Sequence, residues 1–227
     1  MPNKDLYHGH RARLKQRFKI AGPVALADYE LLEMLLFFSI PRSDTKVIAK
    51  EMIKKFKNLH AVMESSERLL LEIKGVGELT VLLLKLHQAL MQRQLKNIMA
   101  KKPVLHNKTA VLEYLNSHMM HKKREEFRVL FLDHRNCLIH EELHQTGTVN
   151  KIAVYPREIA KRALDVGASG LIIAHNHPSG DIMPSIEDIE VTKKIYQACY
   201  AINVILYDHL IVGHGDEYTS MKTQGLF

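Results

Sequence analysis

The run Leu171-Ile172-Ile173-Ala174, set off by the segment from Gly167 to Gly170, constrains this chain's fold more than any other feature. Four successive apolar residues without polar alternation read as a strand buried on both faces. Such a strand needs covering layers, and the flanking sequence supplies them. A helix fits Lys108 to Met119, and Phe127 to Asp133 reads as a strand. His134-Arg135-Asn136 turns into a second strand from Cys137 to about Thr146. Pro156 suits the first position of a helix running to Val166. Ser185 caps another to about Tyr200, and Val204–Tyr207 and Leu210–Val212 are short strands. Strands and helices mixed in this order predict an α/β sandwich.

The first hundred residues read as helices. Asp28 can cap one carrying Leu31, Leu32, Met34, Leu35 and Phe38, ended by Pro41. Val47, Ile48, Met52, Ile53 and Phe56 form one stripe of a helix from Thr45 to Phe56. Ser65 or Ser66 starts a short helix through Ile73, which Gly75-Val76-Gly77 breaks. A long leucine-rich helix follows toward Met99. Lys101-Lys102-Pro103 is the expected joint, giving a helical domain over 1–102 and an α/β domain over 103–227.

Charge follows the same division. Residues 1–103 carry 19 Lys/Arg against 10 Asp/Glu, and residues 104–227 carry 13 against 15. A basic half joined to a mildly acidic one predicts that the first meets a polyanion such as DNA. With only Cys137 and Cys199, a disulfide framework is not expected, and a reducing, cytoplasmic setting is. No apolar stretch approaches the roughly 20 residues that span a bilayer, and Met1-Pro2-Asn3-Lys4-Asp5 lacks a signal peptide's apolar run, so no membrane role is expected. Two cysteines are also too few for a cysteine-based zinc site, so any metal falls to histidine and carboxylate.

The segment from His175 to Asp188 answers to that requirement. His175 and His177, two apart at the end of the buried strand, aim their imidazoles the same way. Pro178, Gly180 and Pro184 turn the chain into a new helix with Asp188 in its first turn. Two histidines and one aspartate leave a fourth tetrahedral position for water, as in catalytic zinc sites. Singly, each residue has a plainer reading: Ser185 as a cap, and Asp188 as an acid at a helix N-terminus. The joint spacing carries the inference.

That spacing, His-x-His-Pro, six residues, Ser, two residues, Asp, resembles the JAMM (MPN+) metalloproteins. Ala174-His175-Asn176-His177-Pro178-Ser179-Gly180-Asp181 is similar to their bacterial RadC branch. Gly9-His10-Arg11-Ala12-Arg13-Leu14, Glu30-Leu31-Leu32-Glu33, the segment from Ile40 to Lys46, Gly75-Val76-Gly77, Thr146-Gly147-Thr148, Pro156-Arg157-Glu158 and the segment from Asp208 to Gly213 extend the resemblance over nearly the whole chain. It implies an α/β/α MPN sandwich with a mixed, cytidine-deaminase-like sheet behind the helical domain. It also implies one Zn2+ per chain on His175, His177 and Asp188, with Ser185 stabilising an oxyanion. A strand glutamate activates the water; the family register puts it at Glu142, with Glu141 on the strand's opposite face. Glu142 would take the water's proton and pass it to the leaving group. Tyr155 departs from the histidine that usually precedes Pro156.

His140-Glu141-Glu142-Leu143-His144 also spells H-E-x-x-H, which binds zinc only from a helix. On a strand the two histidines stand ~13 Å apart at 3.3 Å per residue, too far to share an ion; they share the Glu142 face and can line the site. His118 and His121 read as an exposed helix end, and Cys137 as a small buried apolar residue. The Pro-Cys-x-x-Cys of a zinc deaminase is absent.

Lys74-Gly75-Val76-Gly77 between two helices resembles the turn of a helix-hairpin-helix module, where backbone N–H groups meet a DNA phosphate. Arg11, Arg13, Lys15, Arg17 and Lys19 form a second basic stretch. The expected function is a zinc-dependent peptide or isopeptide hydrolase directed to DNA or a protein partner. A non-enzymatic DNA-repair protein and a metal-dependent nuclease are the alternatives, the latter class more often using two metals.

Overall fold

The computed structural model describes residues 9–120, 122, 124–146, 154–214 and 217–227. The chain divides into two compact units, one reaching to Leu90 and one from Met91 to Phe227. The division lies inside a helix, upstream of Lys101-Lys102-Pro103.

The first unit is helical: α1 His10–Ala21, α2 Asp28–Leu36, α3 Thr45–Phe56, α4 Leu59–Glu64, α5 Glu67–Leu71, and the portion of α6 (Glu78–Lys101) through Leu90. Leu32, Leu36, Ile48, Met52, Val62, Leu70, Ile73, Val76 and Leu84 form its core. Helix α2 departs from expectation at both ends. Ala27 occupies the cap position, with its N–H given to the Glu30 carboxylate, and the helix stops at Leu36, before Pro41. Phe38 therefore leaves the stripe and is exposed. Helix α4 has no counterpart in the sequence reading; Asn58 caps it through the Ala61 N–H at 2.7 Å. Ser66 occupies the cap position of α5. The α5–α6 turn needs glycine at position 75, where φ is +91° and a Cβ would meet Ile48 Cδ1 at 2.9 Å.

In the second unit, α7 (Lys108–Met119) precedes β1 (Glu126–Leu132) and β2 (Leu138–Thr146). Helix α8 (Pro156–Asp165), β3 (Gly170–Asn176), α9 (Ile186–Tyr200), β4 (Ile205–Val212) and β5 (Tyr218–Ser220) follow. The sheet runs β2-β1-β3-β4-β5, with β3 and β4 parallel and every other pair antiparallel. Period-two alternation sorts its side chains into two cores. Leu130, Leu132, Ile172, Ala174, Leu210 and Val212 pack with α7 and the C-terminal part of α6. Phe127, Val129, Phe131, Leu171, Ile173 and Leu206 pack under Ile159 and Ala163 of α8 and Ile195 and Cys199 of α9. Strand β3 is thus buried on both faces, and each of its Leu and Ile side chains contributes about 2 kcal/mol.

Three expectations need correction here. Strand β3 does not end at Ala174: His175 still pairs with β1 and β4 and Asn176 with β4, so His175 lies within the sheet. Val204–Tyr207 and Leu210–Val212 are one continuous strand, in which a bulge at Tyr207 turns His209 onto the α9 face. His118 is half-buried, its Nδ1 2.8 Å from the Tyr114 carbonyl oxygen, because α7 is sunk into its core; His121 lies outside the described residues. Of Thr146-Gly147-Thr148, the glycine and second threonine also lie outside them.

Candidate metal centre

Strand β3 delivers His175, and the loop beyond it delivers His177. Ser185 and Asp188 start α9 through a reciprocal cap. The Asp188 N–H donates to Ser185 Oγ at 3.1 Å, and the Ser185 N–H donates to Asp188 Oδ2 at 2.8 Å. The cap pins the aspartate against the two imidazoles. His175 Nε2 lies 3.0 Å from His177 Nε2 and 3.3 Å from Asp188 Oδ1, and His177 Nε2 lies 3.5 Å from Asp188 Oδ2. An ion about 2.1 Å from each donor in tetrahedral geometry would hold them ~3.4 Å apart. The three side chains therefore fit a small divalent cation with nitrogen and oxygen donors. Among the described residues, this is the only His, Cys, Asp and Glu cluster of that kind.

The other ring nitrogens are occupied. His177 Nδ1 is 2.8 Å from the Asp181 carbonyl oxygen, so it must donate, and Nε2 is the nitrogen a metal would take once its own proton is lost. His175 Nδ1 is 2.7 Å from Nε2 of His209, a fully buried residue of β4. Nδ1 of His209 is 2.5 Å from Thr192 Oγ1, and that hydroxyl donates to the Asp188 carbonyl oxygen. Burial opposes the charged form of Asp188, but the two imidazoles beside it and the Ser185 hydroxyl outweigh it and hold the carboxyl far below the usual range. The Asp188 hydrogen bond raises the His177 pKa, and burial depresses His209 well below the ordinary imidazole value.

Glu142 sits opposite Val129 on β2 and faces α8, the side of the sheet that carries His175. Its carboxylate is held by Arg162 of α8 and lies 3.2 Å from both His140 Nε2 and His144 Nε2. Burial raises its pKa, but bonds from His140 and Arg162 prevail and lower it. Glu142 is not in contact with the three-residue cluster: β1 separates its strand from β3, a lateral distance of about 9.6 Å. Glu141 faces α7, bonded to Tyr114, Lys96 and Arg128. His140 and His144 lie on a strand, as their spacing around Glu142 requires, so the H-E-x-x-H string makes no helical zinc site. Ser185 Oγ is spent on Asp188 Oδ2 at 2.6 Å, so an oxyanion role requires that hydroxyl to turn away.

In the first unit, Lys74, Gly75 and Gly77 are exposed around buried Val76, with Glu78 opening α6. The second basic stretch is partly consumed by structure. Arg11 donates to the carbonyl oxygens of Ile40, Pro41 and Ser43, and Arg17 pairs with Glu30.

The sequence reading missed Arg162, His209 and Thr192. Arg162 sits in an amphipathic helix where any outward arginine looks alike; Thr192, one turn beyond Asp188, and His209, inside an apolar strand, were the available signals. No helix among the described residues is long and apolar enough to cross a membrane. Residues 105–226, which hold the sheet and all three cluster residues, match the model of the RadC-like JAB domain, and the chain belongs to that family.

Proposed function

We propose that the chain is a zinc-dependent hydrolase of amide or isopeptide bonds, of the JAMM type, holding one ion on His175, His177 and Asp188. The observation that carries this reading is the set of donor separations, 3.0, 3.3 and 3.5 Å, which suit one tetrahedral ion while the second nitrogen of each imidazole is tied elsewhere. A bound zinc supplies a Lewis acid that polarises a carbonyl and brings the pKa of a water toward ~7.

The chain's own groups supply the rest. Glu142, kept ionised by Arg162 and His140, accepts the attacking water's proton and returns it to the departing amine, after its carboxylate turns from α8 toward the ion. Ser185, freed from Asp188, donates to the oxygen that gains charge; one such donor is typically worth roughly 3–4 kcal/mol. An adaptor protein needs none of these groups. Nucleases more often use two metals, whereas the donor separations here suit a single ion. Exposed Lys74 and the N–H groups around Gly75 and Gly77 suit a sequence-independent phosphate contact, which would bring the hydrolase to DNA.

Metal analysis of the purified full chain tests the reading. About one zinc per chain is expected for the wild type and for Glu142→Gln, and none for His175→Ala or Asp188→Ala. Peptide and isopeptide substrates should be cleaved by the wild type alone. Zinc retained in both ligand variants, or cleavage undiminished in Glu142→Gln, overturns it.

A further inference from the structure

We infer that His209, through Thr192, is a positioning residue that fixes the His175 ring in the one tautomer able to ligate a metal. The inference rests on the zinc reading above and concerns residues that reading leaves without a role.

The direction of every proton in the chain follows from its last member. The Asp188 backbone carbonyl can only accept, and Thr192 Oγ1 lies 2.5 Å from it, so the threonine's single proton goes there. The Met221 sulfur, 3.8 Å from the same hydroxyl, is too weak an acceptor to compete. Thr192 Oγ1 then meets His209 Nδ1 with lone pairs only, so that nitrogen carries the proton and donates. His209 is 0% exposed, and a ring so completely removed from water is held neutral. A neutral imidazole has one N–H, so His209 Nε2 is a bare acceptor. His175 Nδ1, 2.7 Å away, must therefore donate, and His175 Nε2 is left as a lone pair facing His177 and Asp188.

Reversing any one bond fails. A His209 protonated on Nε2 would put the His175 proton on the metal-facing nitrogen and draw the Thr192 proton toward His209 Nδ1, leaving Thr192 Oγ1 and the Asp188 carbonyl oxygen as two lone-pair-bearing oxygens 2.5 Å apart with no proton between them. The path also starts and ends on ligands: it runs from the β3 imidazole through β4 to α9, whose first turn carries the Asp188 carboxylate. Phe127 packs beside both rings, parallel to His175 with centroids 6.3 Å apart and edge-on to His209 at 5.6 Å, and the two histidines are 3% and 0% exposed.

The test uses the full chain with zinc alone as the probe, titrated against a chromophoric chelator. His209→Leu removes the acceptor, while His209→Gln places an amide oxygen near the position of Nε2. Thr192→Val removes the acceptor that orients His209, and Thr192→Ser keeps it. Zinc affinity is expected to fall 10- to 100-fold in His209→Leu and Thr192→Val, the range typical of lost outer-shell partners. It should stay within about threefold of wild type in the Gln and Ser variants. In the 1H–15N spectrum of the zinc-loaded protein, a slowly exchanging His175 Nδ1 proton should persist in wild type, Gln and Ser and vanish in Leu. Metal-free melting curves separate misfolding from mispositioning. If His209→Leu does not fold, the Thr192 pair decides.

Equal zinc affinity in wild type, His209→Leu and Thr192→Val overturns the inference while leaving the zinc site standing. Equal losses in the conservative and apolar variants also overturn it, since mere packing would then be the cause. A wild type that takes up no zinc removes both the site and its positioning residue.

Discussion

Glu141 and Glu142, adjacent on β2, stand on opposite faces of the sheet: Glu141 is bonded to Arg128 at 2.7 Å on the α7 side, and Glu142 to Arg162 on the α8 side. One carboxylate is built into a core and the other lines the face of the metal cluster. Their substitutions should therefore separate. Glu141→Ala leaves the nearly buried Arg128 guanidinium with Glu126 as its remaining carboxylate partner and takes the acceptor from the Tyr114 hydroxyl, and should cost about 1–3 kcal/mol of stability in urea unfolding. Glu142→Gln should leave the unfolding midpoint within experimental error and abolish hydrolysis. Equal stability losses for the two would mean that the faces are not functionally distinct.

Arg162 sets the working range of Glu142. Burial alone would raise that carboxyl's pKa, and bonds from His140 and Arg162 reverse the shift. Arg162→Ala removes the stronger charge, so the Glu142 pKa should rise. Its 13C carboxyl resonance, followed in the metal-free protein, should titrate at higher pH in the variant. In a hydrolysis assay the acid limb of the pH profile should move up with it, because the basic form is lost sooner on acidification. An unmoved carboxyl titration would show that Arg162 serves packing alone.

How far these relationships were legible in the sequence depends on their range. Helix α3 matched from Thr45 to Phe56 because Asp44 caps it locally and its stripe is regular, and α9 matched because Ser185 and Asp188 announce its start. The candidate ligands were readable because all three fall within one short stretch of sequence, from His175 to Asp188. Glu142 could be assigned a face by strand alternation, but its distance from the cluster depends on β1 lying between, which only the sheet order reveals. His209 was illegible for a similar reason. A bulge at Tyr207 changes the parity of β4, so alternation counted from Leu206 puts His209 on the wrong face. Helix α1 buries Leu14 alone and thus offers no stripe to read.

Opposite pH responses should mark the cluster with and without zinc. Asp188 has a depressed folded pKa, so it stabilises the metal-free fold above its unfolded value of about 3.9 and loses that contribution as pH falls through the folded value. His177 has a raised folded pKa, so it stabilises below its unfolded value of about 6.5 and loses that contribution as pH rises through the folded one. The metal-free chain should gain most from this pair between about pH 4 and about pH 6.5, and its melting temperature should fall as pH rises from about 6.5 through the raised folded value of His177. Zinc requires His177 without its proton, so the increment in melting temperature on adding zinc should grow over that same interval. Parallel slopes with and without zinc would exclude His177 as a ligand.

The α5–α6 turn makes a separate prediction, independent of the metal. Lys74 is exposed directly before Gly75, whose φ of +91° exposes the turn's backbone, and Glu78 opposes any anion that approaches. If this turn meets DNA, the contact is to phosphate and reads no sequence. Lys74→Gln in the full chain should then weaken duplex binding equally for unrelated sequences and reduce the slope of log affinity against log salt by about 1. Glu78→Gln should strengthen binding by removing a repulsive charge. Gly75→Ala would disturb the turn itself, since its Cβ must push back Ile48 Cδ1 from 2.9 Å and hold a left-handed φ, at a cost of about 1 kcal/mol or more. An unchanged salt slope in Lys74→Gln, with duplex binding intact, assigns the DNA contact to some other basic surface of the chain.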